Sequence, residues 1–121
     1  MRLISRGDRA SNGSPAIPQR VHLVGAGGIM MSGIGQILLS RGHIVTGSDL
    51  VSSRWTETLE AQGATIFEGH AASNVGDAEL VVATAAVNDS NPEVADANAR
   101  DIPVMVRAEM VRVLLSERRV L

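Results

Sequence analysis

Residues Val21-His22-Leu23-Val24-Gly25-Ala26-Gly27-Gly28-Ile29-Met30-Met31-Ser32-Gly33 read as a buried strand running through a glycine turn into a helix. Few backbone shapes are so restricted, and this one can bind phosphate through main-chain N–H groups alone. Glycines let the chain turn tightly and approach an anion, while the helix N-terminus adds partial positive charge. The usual dinucleotide fingerprint has glycine in its first, third and sixth places. Gly25 and Gly27 fit, Met30 stands where the sixth belongs, and Gly28 and Gly33 are additional. The pattern is a nucleotide-phosphate turn of an unusual kind rather than a ready NAD site.

Beyond the turn, apolar runs alternate with segments of helical periodicity. Strands are predicted at Val21–Val24, Ile44–Ser48, Thr65–Phe67, Leu80–Thr84 and Pro103–Val106. Met30, Ile34, Ile37 and Leu38 recur at helical spacing and are expected to pack on the sheet. Gly33 and Gly35 weaken that helix by roughly 1 kcal/mol each relative to Ala, which suggests a backbone or ligand passing close by. Gly42 ends it. A second helix spans Trp55–Gln62 and closes at Gly63. A third opens at Asn91-Pro92-Glu93, with Asn as N-cap, Pro in the first turn and an acid beside it. A fourth covers Arg107–Leu115. Alternation at this spacing predicts an α/β fold: a Rossmann-like, doubly wound, parallel five-stranded sheet with helices on both faces. Residues 1–19, rich in Gly, Ser, Asn, Pro and Arg, read as a disordered leader before a domain at 20–117. Residues 118–121 read as the start of a linker or strand leading to a further domain.

Composition narrows the chemistry. The 121 residues are 45% hydrophobic with one Trp, one Phe and no Tyr, so the core is built from Val, Ile, Leu, Ala and Met. A net charge of −2 and a shortage of aromatic side chains disfavour nucleic acid. Cysteine is absent, which excludes disulfides and thiolate chemistry, and every basic residue is Arg. Without lysine the chain can form neither a P-loop nor a Schiff base. No apolar run approaches the ~20 residues that span a bilayer, and a cytoplasmic location is the expectation.

In open parallel sheets ligands bind beyond the carboxyl ends of the strands. Those ends carry Gly25, Ala26, Gly27 and Gly28 with Ile29 and Met30 behind them, then Ser48 and Asp49, Gly69 and His70, and Thr84, Ala85 and Ala86. All are expected to line one crevice. Asp49 follows Gly25 by 24 residues, the spacing of a ribose-binding acid, although an Asx turn or a bond from uracil would suit it equally. His70 lies in a loop and is expected to touch ligand or solvent, with no partner carboxylate evident beside it. His22 is expected to be a satisfied structural residue and His43 to be solvent-exposed. Arg107, at a strand end, could reach a phosphate, and Glu109 complements a helix N-terminus. Asn88 to Asn91 suit a turn. No residues have metal-ligand spacing, and none is a candidate catalyst.

The segments His22-Leu23-Val24-Gly25-Ala26-Gly27-Gly28, Met31-Ser32-Gly33-Ile34 and Thr46-Gly47-Ser48-Asp49-Leu50 occur in order with Gly63-Ala64-Thr65-Ile66, Gly69-His70, Asn91-Pro92-Glu93, Ile102-Pro103-Val104 and Arg107-Ala108-Glu109-Met110. Together they resemble the N-terminal domain of the Mur ligases, most of all the branch that adds L-alanine. The resemblance implies binding of the UDP part of UDP-N-acetylmuramic acid here. It implies separate central and C-terminal domains for ATP with Mg²⁺ and for the amino acid. In that family ATP phosphorylates the muramoyl carboxylate, and the amine attacks the acyl phosphate. The family's Gly-Lys-Thr loop would begin beyond Leu121, so no cofactor is expected on this chain and no catalysis by it alone. Met30 departs from the alanine branch, which has Gly there. The branch that recycles a murein tripeptide carries a bulky residue at that place and is an alternative, as is an NAD-binding or purely structural domain.

Overall fold

The computed structural model describes residues 17–116, so most of the predicted leader and the predicted onward strand lie outside the described residues. Five strands form one parallel sheet: β1 (Arg20–Val24), β2 (Ile44–Asp49), β3 (Thr65–Glu68), β4 (Leu80–Ala83) and β5 (Val104–Val106), in the order β3-β2-β1-β4-β5. Four helices connect or follow them: α1 (Ile29–Ser40), α2 (Arg54–Ala61), α3 (Pro92–Ala99) and α4 (Arg107–Ser116), with a 3₁₀ turn at Ala72–Val75. The predicted doubly wound sheet is therefore present, and its strand order reverses between β1 and β4.

Alternation along the strands builds two cores. Val21, Leu23, Val45, Leu80, Val82 and Met105 point to the face covered by α1, α2 and α4. Val24, Val81, Ala83 and Val104 point to the face covered by α3 and the 3₁₀ turn. Helices lie on both faces, as expected.

The helix α1 is rotated from its predicted phase. Met31, Ile34 and Leu38 are buried, while Met30 and Ile37 are 54% and 41% exposed. The residues apolar on this helix nearly surround it, so the sheet contact rather than periodicity selects the inner face. Gly35 makes that contact close: a Cβ there would lie 2.8 Å from Leu59 Cδ2 and 3.0 Å from Leu23 Cδ1. Gly33 has no such neighbour, so crowding explains only one of the two glycines. Gly42 and Gly63, with φ of +88° and +111°, follow the C-caps Arg41 and Gln62 and end α1 and α2 as predicted.

The ordered domain starts before Arg20. Ile17 packs on the main core, the Pro18 carbonyl lies 2.8 Å from His43 Nδ1, and Gln19 Nε2 donates to the Gly42 carbonyl. Residues 17–19 thus belong to the folded unit rather than to a leader. His43, expected in solvent, is half-buried by the same contact.

Candidate functional site

The glycine turn is held by β2. Gly25, at φ +84°, and Ala26 both donate their N–H groups to the Ser48 carbonyl, at 2.8 and 2.9 Å. Gly27 N–H donates to Asp49 Oδ2 at 2.7 Å, and Gly28 N–H to the Gly25 carbonyl at 3.2 Å. The four amides expected to cradle phosphate are therefore engaged inside the protein. The next three differ. No side chain caps α1, and the N–H groups of Ile29, Met30 and Met31 have no acceptor among the described residues. They are the orphan donors of a helix N-terminus, facing the carboxyl edge of the sheet.

Asp49 builds the turn. A Cβ on Gly27 would meet its Oδ2 at 2.7 Å, so glycine is needed for the carboxylate to reach the backbone. The other oxygen, Oδ1, accepts the Leu50 N–H at 2.7 Å. Both carboxylate oxygens of Asp49 thus accept backbone N–H groups, though neither comes from Val51, two residues on, as an Asx turn would require. The residue is half-exposed beside a cleft of about 170 Å³ lined also by Val51, Ser52, Phe67 and Glu68.

Two expected ligand contacts turn out to be scaffold. Ala26 packs in the core, and Ser48 is fully buried with its hydroxyl engaged inside the protein. Ile29 and Met30 are exposed at the edge, as are Ala85 and Ala86, with Thr84 half-buried beside them. Arg107 opens α4 directly after β5, and its side chain has no hydrogen bond or ion pair among the described residues. Glu109, read as dipole complementation, pairs with Arg112.

The residue that sequence reasoning missed is Glu93. Local context marks it as an ordinary acid in the first turn of α3, where Asn91 caps the helix by accepting from Glu93 and Val94 N–H. Its side chain instead turns under the sheet and is fully buried. Oε1 accepts from His22 Nε2 at 2.7 Å and from Ser48 Oγ at 2.6 Å. Oε2 accepts from Asn74 Nδ2 at 2.9 Å and Ala71 N–H at 3.1 Å, with His70 Nδ1 at 3.4 Å. Burial pushes its carboxyl up, but the hydrogen bonds of His22, Ser48 and Asn74, with electrostatic help from His22, outweigh that and hold it at about 2.

His22 is satisfied, as expected: its Nδ1 meets Thr46 Oγ1 at 2.7 Å. His70 is not the isolated residue the sequence suggests. Its Nδ1 lies 2.9 Å from Ser48 Oγ, and its side chain is 19% exposed. A carboxylate partner does stand beside it, supplied by a helix 23 residues away. Among the described residues no group of three or more His, Asp or Glu could hold a metal ion, and no helix is long and apolar enough to cross a membrane.

A family model described as "Mur ligase family, catalytic domain" matches residues 20–119. The chain belongs to the Mur ligase family. It is 57% identical over 97 residues to the UDP-N-acetylmuramate–L-alanine ligase of Koribacter versatilis and 55% identical over 98 residues to that of Salinibacter ruber. These matches cover 80% of the chain but 21% of each relative, so the chain spans about one fifth of their length. Among solved structures it superposes on the MurC ligase of Thermotoga maritima with a TM-score of 0.77 and 37% identity, covering 80% of this chain and 23% of that one. A murein peptide ligase from Psychrobacter arcticus shares the fold at a TM-score of 0.76 and 23% identity, over 84% of this chain and 22% of that one. This Mur ligase domain is thus of the MurC type in sequence and Rossmann-like in architecture. Met30 does not bear on the distinction from NAD-binding domains as expected, because it faces solvent rather than the strand–helix gap.

Proposed function

We propose that this chain is the UDP-N-acetylmuramate-binding domain of a cytoplasmic ligase that joins L-alanine to UDP-N-acetylmuramate in peptidoglycan synthesis. The observation that carries this is the 57% identity to a ligase so named, over 97 residues that make up 80% of the chain. The diphosphate sits at the first turn of α1, on the N–H groups of Ile29, Met30 and Met31, with Gly25 to Gly28 and Asp49 holding that turn in place. Arg107, at the same edge and without a partner among the described residues, supplies the positive charge, while His70 faces the uridine and Thr84, Ala85 and Ala86 floor the crevice. ATP and Mg²⁺ belong to the central domain of the parent protein; this chain, lacking lysine, contributes substrate binding and no bond-forming step. The tripeptide-recycling ligase is the second reading and carries less weight, at 23% identity against 37% for MurC.

Calorimetric titration with UDP-N-acetylmuramic acid and with NADH tests the assignment. The muramyl nucleotide is expected to bind and NADH to bind more weakly or not at all; tighter NADH binding would reverse the reading.

A further inference from the structure

The methionines of this chain divide sharply by exposure. Met31, Met105 and Met110 are sealed in the main core, at 1%, 2% and 0%. Met30 is 54% exposed, and Met1 lies outside the described residues. Cysteine is absent, so no thiol competes for an oxidant. Among the described residues, a peroxide that meets the folded domain therefore finds the Met30 thioether first. Its neighbour Met31 has the same chemistry and no exposure, which makes it an internal control.

The place of Met30 gives that reaction a consequence. It is the second residue of α1, and its own N–H is one of the three orphan donors there. No side chain caps this helix and its first turn holds no acid, so nothing there competes with an anion for those donors. Side chains on a helix lean towards its N-terminus, which carries the thioether over the turn from which the donors emerge. A sulfide is a weak acceptor and leaves them free. A sulfoxide has an S–O dipole whose oxygen accepts strongly and presents negative charge to an anion. We propose, resting on the assignment of a diphosphate to this turn, that Met30 Sδ is an oxidation site at which peroxide weakens nucleotide binding. The sulfur lone pair attacks one peroxide oxygen, the O–O bond breaks and water leaves. The thioether is oxidised by two electrons and the peroxide is reduced by the same two. The new oxygen then takes an amide otherwise given to phosphate, as an N-cap side chain would. Binding falls, while the fold gains an acceptor and is not weakened.

Hydrogen peroxide applied to the folded chain tests this, with oxidation mapped by tandem mass spectrometry of arginine-cleaved peptides. Met30 and Met31 share the peptide 21–41, whose fragment ions separate them. Met30 is expected to convert well before Met31, Met105 and Met110; conversion of all four at one rate overturns the proposal. Titration with UDP-N-acetylmuramic acid is then expected to be about fivefold weaker, with the unliganded Tm not lowered. A methionine sulfoxide reductase is expected to restore it. Unchanged affinity overturns the proposal, and so does a loss accompanied by a lower unliganded Tm, which is damage to the packing. Met30→Leu has no sulfur at that place, and its affinity is expected to be the same before and after peroxide. A fivefold loss in that variant puts the effect at another residue and overturns the assignment. If untreated protein binds no muramyl nucleotide, the functional reading falls and takes the effect on binding with it. That failure is distinguishable, because the mapping of Met30 needs no ligand.

Discussion

Glu93 decides how this domain responds to acid. Its carboxyl sits at about 2 in the fold against an ordinary 4.5, so the folded state binds the proton more weakly than the unfolded chain. Stability from this group is fully present above about 4.5 and drains away as pH falls towards 2. Glu93→Gln is expected to cost about 3 kcal/mol at pH 7 and to flatten the loss between those limits, read from urea unfolding at pH 7 and pH 3. An unchanged pH slope in the variant would mean that other carboxylates carry the effect. Gly27 is decisive for a different reason. Any Cβ there meets Asp49 Oδ2 at 2.7 Å, so Gly27→Val should break the bond that shapes the turn and weaken UDP-sugar binding at least tenfold by calorimetry. At this scale the sequence was partly legible. The glycine turn and the satisfied state of His22 follow from short-range pattern. The Glu93 hub does not, because its partner His22 is 71 residues away and nothing local distinguishes Glu93 from a routine helix-end acid.

Among the elements, α1 rewards the closest comparison because its two interior glycines behave oppositely. Gly33 has open space around it, so Gly33→Ala should stabilise the domain by up to ~1 kcal/mol through helix propensity alone. Gly35→Ala gains the same propensity, but its methyl would press on Leu59 and Leu23, both fully buried. Overpacking of this kind costs about 1–3 kcal/mol, so the second variant should be no more stable than wild type and clearly below the first. Equal midpoints in urea would show that the two leucines yield without cost. The strands were legible to within about a residue, as continuous apolar runs bounded by turns must be in a parallel sheet. The face of α1 was not. Ile29, Met30, Met31, Ile34, Ile37, Leu38 and Leu39 surround much of the helix, and only the sheet beneath selects Met31 over Met30.

For the whole molecule, topology follows from alternation, and the site follows from topology. All five strands are parallel, so every carboxyl end lies on one edge, and the order reverses between β1 and β4 where α1 begins. A ligand at that edge touches segments far apart in sequence and binds only the folded chain. Binding therefore shifts the global unfolding equilibrium. At a hundred times its dissociation constant a ligand adds ~2.7 kcal/mol, which for a domain of this size raises Tm by roughly 10 °C. UDP-N-acetylmuramic acid is expected to produce such a rise, and Arg107→Gln to reduce it without changing the unliganded Tm, since Arg107 has no internal partner among the described residues. ATP with Mg²⁺ is expected to raise Tm far less, because the chain has no lysine to hold terminal phosphates. An equal rise with both nucleotides would show that the orphan amides of α1 respond to any phosphate chain, and that the rest of the crevice selects nothing.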